Sequence, residues 1–184
     1  IVDRAMFHID NCYYLASITV RGYRVKTNKV SNTAFRGFGG PQGILAIENV
    51  IEEIASATGL DPLVVRQRNF YRPSDNRDTT HYGQRIEQHI IQPLVARLVI
   101  NSEYHKRKNE IHQFNKTSAV LKRGIAITPV KFGISFTVTH LNQAGALLHI
   151  YTDGSVQLNH GGTEMGQGLY TNCLLYTSDA ADDR

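Results

Sequence analysis

Apolar and polar positions along the chain shift from alternation to helical spacing and back. Residues 4–20 alternate loosely, with Tyr13, Tyr14 and β-branched Ile18, Thr19 and Val20, which predicts one or two strands. Extended chain then runs through Gly22 and Tyr23–Lys29 into Asn32–Gly43, a stretch with four glycines, one arginine and two phenylalanines. From Pro41 to Thr58 the positions Ile44, Ile47, Ile51 and Ile54, with Leu45, Val50 and Ala55, form a helical stripe that Gly59 closes. Asp61-Pro62 reads as the cap and first-turn proline of a second helix reaching Asn69, with Leu63, Val64 and Val65 inward and Arg66 and Arg68 outward. Residues 71–85 are polar and aperiodic and predict a surface loop. Helical spacing returns at 91–100 and 102–115, with Ser102 as a cap, Tyr104, Ile111 and Phe114 as a stripe, and Lys106, Arg107, Lys108 and Glu110 as a solvated face. From Lys122 onward, Gly124–Val130, Phe132–Val138 and Gln143–Tyr151 are rich in β-branched and aromatic residues and predict strands. Asp153-Gly154 is a hairpin signal leading into Ser155–His160. Strands, then helices, then sheet make an α+β fold with mixed sheets and packed helices, not alternating βαβ units.

Composition narrows the function classes. With 184 residues, 41% hydrophobic and 20% charged, the chain is an ordinary soluble domain with a core. The net charge of +4 and the pI near 9.1 permit anion binding, but the basic residues are scattered, so no nucleic-acid partner is expected. Only Cys12 and Cys173 occur, which points to a reducing, cytoplasmic setting without a disulfide framework. No run predicts a membrane span and no signal-type segment opens the chain, whose first residues read as the interior of a longer protein. Residues 173–184 break the pattern and resemble a translated adaptor, so the expected domain is 1–172, a fragment followed by a non-native tail. Without that tail, 19 basic and 13 acidic side chains leave a balance of +6.

The glycine-rich stretch before the long helix admits two readings. Glycines permit a compact turn whose amides hold an anion or a cofactor edge, with Arg36 walled by Phe35 and Phe38; alternatively Gly37, Gly39 and Gly40 only turn the chain and Arg36 faces solvent. A second cluster, Gly161–Gly168, follows the hairpin, and within it Glu164 is either a general base or the partner of turn amides. Gln42 stands where a dinucleotide fingerprint needs its third glycine, which excludes a Rossmann reading. Ser135 lacks the nucleophile-elbow pattern, and His105 and His112 lack metal spacing, so no metal held directly by protein side chains is expected.

Several long motifs in order carry a family resemblance. Ser31–Gly43 (SNTAFRGFGGPQG), Thr128–Thr137 (TPVKFGISFT), Leu141–Leu147 (LNQAGAL), Tyr151–Val156 (YTDGSV) and His160–Gly168 (HGGTEMGQG) closely resemble the xanthine dehydrogenase family of molybdenum hydroxylases, over roughly residues 1–172. The resemblance implies the molybdopterin-binding part of such an enzyme, of the bacterial type with a separate large subunit. It implies a molybdenum cofactor held by its pterin, oxidation of hypoxanthine and xanthine to urate, and electrons leaving through iron–sulfur clusters and FAD on a partner subunit to NAD, in dimerised heterodimers. Carried over by position, Arg4 stabilises charge developing on the purine, Phe38 and Phe136 sandwich its ring, and Thr137 bonds a substrate carbonyl. Phe35, Arg36 and Gly37 approach the molybdenum centre, while Gly166, Gln167 and Gly168 form a second cofactor-binding turn. Arg4 favours a purine over an aldehyde.

The resemblance also implies that the catalytic glutamate, an early cofactor loop and the redox domains lie outside these residues, so the chain alone is expected to be inactive. An aldehyde oxidase or another molybdenum hydroxylase is the alternative within the class. A basic, non-enzymatic anion or nucleic-acid binding module is the alternative outside it, and a gene product without independent function is a third.

Overall fold

The computed structural model describes residues 1–133, 136, 138–166 and 168–171. Its contacts divide the chain into two units, Ile1–Gly133 and Ile134–Arg184. The first unit holds five α-helices: α1 (Val2–Phe7), α2 (Gly40–Thr58), α3 (Pro62–Asn69), α4 (Ile91–Asn101) and α5 (Tyr104–Thr117). The second holds an antiparallel hairpin of β1 (Ala146–Ile150) and β2 (Val156–His160), which completes the expected α+β class.

The spine of the first unit is α2. Its buried positions, Gly40, Gly43, Ile47, Ile51 and Ala55, recur at nearly every fourth residue, one stripe of a 3.6-residue helix. The expected stripe has the right period and half the right face, since Leu45, Val50 and Ile54 are exposed. Gly59 ends the helix in the left-handed conformation with φ 66°, and Leu60 N–H bonds back to the Ala55 carbonyl. Asp61 then caps α3 as its sequence predicts, accepting the Leu63 N–H at 2.8 Å. The same carboxylate also receives Lys108 from α5, so Lys108 is a tether between helices where a solvated charge was expected. Cys12, Tyr13, Ile47, Ile51, Leu63, Val65, Phe70, Val95, Tyr104 and Ile127 close the core.

Arg66 departs from expectation most sharply. It is 1% exposed rather than outward. Two acids of α2 turn it inward: Arg66 donates to Glu48 at 2.8 Å and to Glu52 at 2.5 Å. Glu48 further accepts Tyr13 Oη at 2.5 Å and Asn11 Nδ2 at 2.9 Å, which satisfies a charge that would be costly to bury alone. Burial by itself would lower the Arg66 pKa, but the two carboxylates outweigh it and hold the group above its ordinary value.

The strands expected over residues 4–20 are absent: α1 occupies Val2–Phe7, and turns closed by Asn11 N–H to the His8 carbonyl and Tyr13 N–H to the Asp10 carbonyl follow it. Residues 124–130 form no ladder either. Pro129 lacks the N–H a ladder needs, and the Asn11 side chain takes the place of a strand partner, donating to Pro129 O at 2.9 Å and accepting Lys131 N–H at 3.0 Å. Ser102 does not cap α5; it ends α4, and Glu103, with φ 49°, stands at the α5 N-cap without a side-chain cap bond. Within 71–85 the loop is not wholly surface, because Tyr71 and Thr80 are buried. Ser135, Thr137, Gln167 and 173–184 lie outside the described residues.

In the second unit the hairpin forms where Asp153-Gly154 predicts it, although β1 is shorter than the expected strand. Gly154 takes φ 85°, and the Asp153 carboxylate accepts Ser155 N–H at 2.9 Å. The register pairs Leu148 with Leu158 and Ile150 with Val156 on one face, and His149 with Gln157 on the other.

Candidate functional site

The first glycine cluster is required by packing. A Cβ on Gly39, whose φ is 108°, would stand 2.0 Å from the Ile1 carbonyl oxygen, and one on Gly43 would stand 2.3 Å from that of Ala5. A Cβ on Gly40 would meet the Phe132 ring at 2.3 Å. These absences of side chain let the start of α2 press against the α1 backbone and Phe132. The tight turn preceding it is closed by Phe38 N–H to Phe35 O at 2.8 Å and Gly40 N–H to Gly37 O at 2.9 Å. It drives half-buried Phe38 to φ 49°, an uncommon conformation for a bulky side chain. Phe35 is 85% exposed and Arg36 is exposed.

Docking α1 on that glycine surface places Arg4. It is buried, its guanidinium lies 5.1 Å over the Phe132 ring and it donates to the Gly133 carbonyl. One turn on, His8 Nδ1 lies 2.9 Å from the Arg4 carbonyl, and its Nε2 accepts the Gly133 N–H at 3.0 Å. Next to it Asp10, fully buried, accepts Tyr71 Oη at 2.6 Å and pairs with Lys131 at 3.2 Å. Burial and the Asp10 carboxylate both push the Tyr71 hydroxyl pKa up, so it stays a donor. Burial likewise pushes the Cys12 thiol up to about 12, which makes it a packing residue and not a nucleophile. The expectation of strands concealed His8, because only a helix brings residues four apart into contact on one face.

In the second unit, Asn142 substitutes for a strand partner of Phe136, accepting its N–H at 2.8 Å and donating to its carbonyl at 2.7 Å. Glu164 resolves to its turn role. Its carboxylate accepts the amides of Gly166 at 2.6 Å, Gly168 at 3.2 Å and Leu169 at 2.5 Å. The Gly166 bond is the largest of the influences that hold its pKa below the ordinary value. Gly166 and Gly168 adopt φ 101° and 75°, which glycine alone takes without strain.

Two family models cover most of the chain: one molybdopterin cofactor-binding domain matches residues 1–70 and another matches 97–180. The chain belongs to the molybdopterin cofactor-binding family. It is 50% identical over 174 residues, 95% of its length, to the xanthine dehydrogenase of Drosophila subobscura. It is 51% identical over 180 residues, 98% of its length, to the xanthine dehydrogenase/oxidase of Felis catus, and 49% identical over 178 residues, 97% of its length, to that of Gallus gallus. In each case it spans 13% of the length of the relative.

The two glycine turns differ in the donors they offer to a molybdopterin cofactor. At the first turn a guanidinium, Arg36, and an aromatic, Phe35, are both exposed, donor and face chemistry that suits an anionic, flat group. At the second cluster the Gly166 and Gly168 amides are spent on Glu164, so they do not present a free anion cradle in this arrangement. Among the described residues no group of three or more His, Cys, Asp or Glu is placed to hold a metal ion, and no helix is long and apolar enough to cross a membrane.

Proposed function

We propose that this chain is part of a molybdenum hydroxylase that oxidises hypoxanthine and xanthine to urate in the cytoplasm, passing electrons through iron–sulfur clusters and FAD on a partner subunit or domain to NAD. The observation that carries this reading is near-50% identity to xanthine dehydrogenases across almost the whole chain. When bound, the molybdenum cofactor supplies the oxygen transfer and the redox step. The residues of this chain supply orientation and electrostatics. Phe35, Arg36 and Gly37 hold the cofactor from the first turn, and Gly166, Gln167 and Gly168 belong to the second turn that meets it. Phe38 and Phe136 give the purine flat apolar contacts, and Thr137 bonds its carbonyl. Arg4 is the electrostatic element: a guanidinium already desolvated and oriented stabilises negative charge developing on the purine without reorganising.

Arg4→Met in the full-length enzyme tests this. Turnover of xanthine should fall by about 10²–10³, the size of loss seen when one preorganised donor is removed, while a simple aldehyde is affected less. Equal losses on the two substrates would favour an aldehyde oxidase and remove Arg4 as the purine-reading residue.

A further inference from the structure

Gly133 is held at both of its backbone polar groups by the short helix α1 and the residue that caps its end. Its carbonyl receives Arg4 and its N–H points at His8 Nε2, 3.0 Å away. The proton count on His8 follows from chemistry. Nδ1 faces the Arg4 carbonyl at 2.9 Å, and a carbonyl only accepts, so Nδ1 carries the hydrogen. Nε2 faces an N–H, so it is bare. The ring is therefore neutral and locked in one tautomer, packed against Phe132 at 4.6 Å between centroids. Glycine has the widest backbone freedom of any residue, so this position needs an external grip if its carbonyl is to stay in one place.

We propose that His8 is a positioning residue for Arg4: as the neutral Nδ1–H tautomer it fixes Gly133 so that the Gly133 carbonyl receives and aims the Arg4 guanidinium. The proposal rests on the reading of Arg4 as the group that meets the purine, and it adds a dependence of that group on pH. The charged groups around His8 are Arg4 and Lys131, which oppose its protonation, and Asp10, which favours it. Burial is the largest influence and places its pKa below the ordinary 6.5. A folded-state value below the unfolded one means that the grip is intact at neutral pH. Its contribution to stability is present above the ordinary histidine value and is lost as pH falls through the lowered one. Once charged, Nε2–H would confront the Gly133 N–H, donor against donor, with Arg4 beside it.

Long-range ¹H–¹⁵N NMR on the 184-residue chain reads the tautomer directly. The expected result is a protonated Nδ1 and bare Nε2 at neutral pH, titration below 6.5, and a Gly133 amide shift with the same midpoint. An Nε2–H tautomer, a midpoint at or above 6.5, or a Gly133 amide indifferent to it overturns the proposal. In the full-length enzyme, His8→Leu should lower xanthine turnover by about 10- to 100-fold, the usual cost of losing a supporting partner, and leave aldehyde turnover little changed. His8→Gln, whose Oε1 accepts the Gly133 N–H without titrating, should restore most of it. Equal loss on both substrates, or no rescue by glutamine, overturns the positioning role. If Arg4→Met spares xanthine while the NMR result holds, the purine reading fails and the His8–Gly133 grip stands.

Discussion

The helix α1 and the β1–β2 hairpin sit at opposite ends of the balance between local and tertiary control. The hairpin is written in neighbouring residues: apolar residues in both strands, an Asp-Gly turn, and an Asp153 carboxylate that closes its own bend. Its shape is regular, yet Leu148, Ile150, Val156 and Leu158 remain 58%, 67%, 60% and 47% exposed on one face. A two-stranded hairpin in water is marginal, so local signals have set its form without securing it. The helix α1 is the reverse. It is six residues long, has no side-chain cap bond, and is far too short to persist alone. It is helical because Gly39 and Gly43 let α2 approach its backbone, and because Arg4 and His8 both find partners in Gly133. Burial thus imposes a helix on a segment whose pattern reads as strand.

Four measurements break or sharpen that contrast. The largest effect is expected at the centre of the tertiary-controlled unit. Arg66→Ala strands the nearly buried Glu48 and should cost about 3–5 kcal/mol in urea unfolding of the chain; a loss below 1 kcal/mol would mean that the apolar core alone holds the first unit. Next, Gly43→Ala drives a Cβ against the Ala5 carbonyl, a backbone atom that cannot rotate away, and should cost about 1–3 kcal/mol. Its signature is loss of the His8–Gly133 bond in the NMR experiment, and survival of that bond would show that α1 does not depend on the glycine surface. Third, Leu148→Thr or Leu158→Thr should change stability by no more than about 0.5 kcal/mol, because both side chains already face water. A cost like that of a core residue would reveal a covered face. The smallest effect is electrostatic: the Glu164 carboxylate should titrate below its ordinary 4.5, and its turn bonds contribute above that value and fade as pH falls through the lowered one. An ordinary midpoint would mean that the amides of Gly166 and Gly168 are free for another anion.

Much of the fold was legible wherever the signal was short-ranged. The α2 period, the Gly59 stop, the Asp61-Pro62 start of α3 and the Asp153-Gly154 turn all depend on residues within a few positions of each other. Arg66 was misread because its acids come from α2, 18 and 14 positions away. The strand expected at 124–130 was misread for the same reason, since its partner is the Asn11 side chain, 118 positions from Pro129. At the candidate site the motifs singled out Arg4, Phe38 and both glycine clusters, but the reason for the first cluster was hidden: three of its glycines are small to admit α1 and Phe132.

From the amino-acid order alone come the α+β class, the helical spine, the hairpin and membership of a molybdopterin-binding family, because each rests on periodicity, turn chemistry or contiguous motif. Only the tertiary structure decided that residues 2–7 are helical, that Arg66 is inside, and that His8 joins Arg4 to Gly133. Those outcomes turn on which distant group satisfies a buried charge or a backbone amide, and desolvation makes that choice with more free energy than a single residue's local preference can oppose.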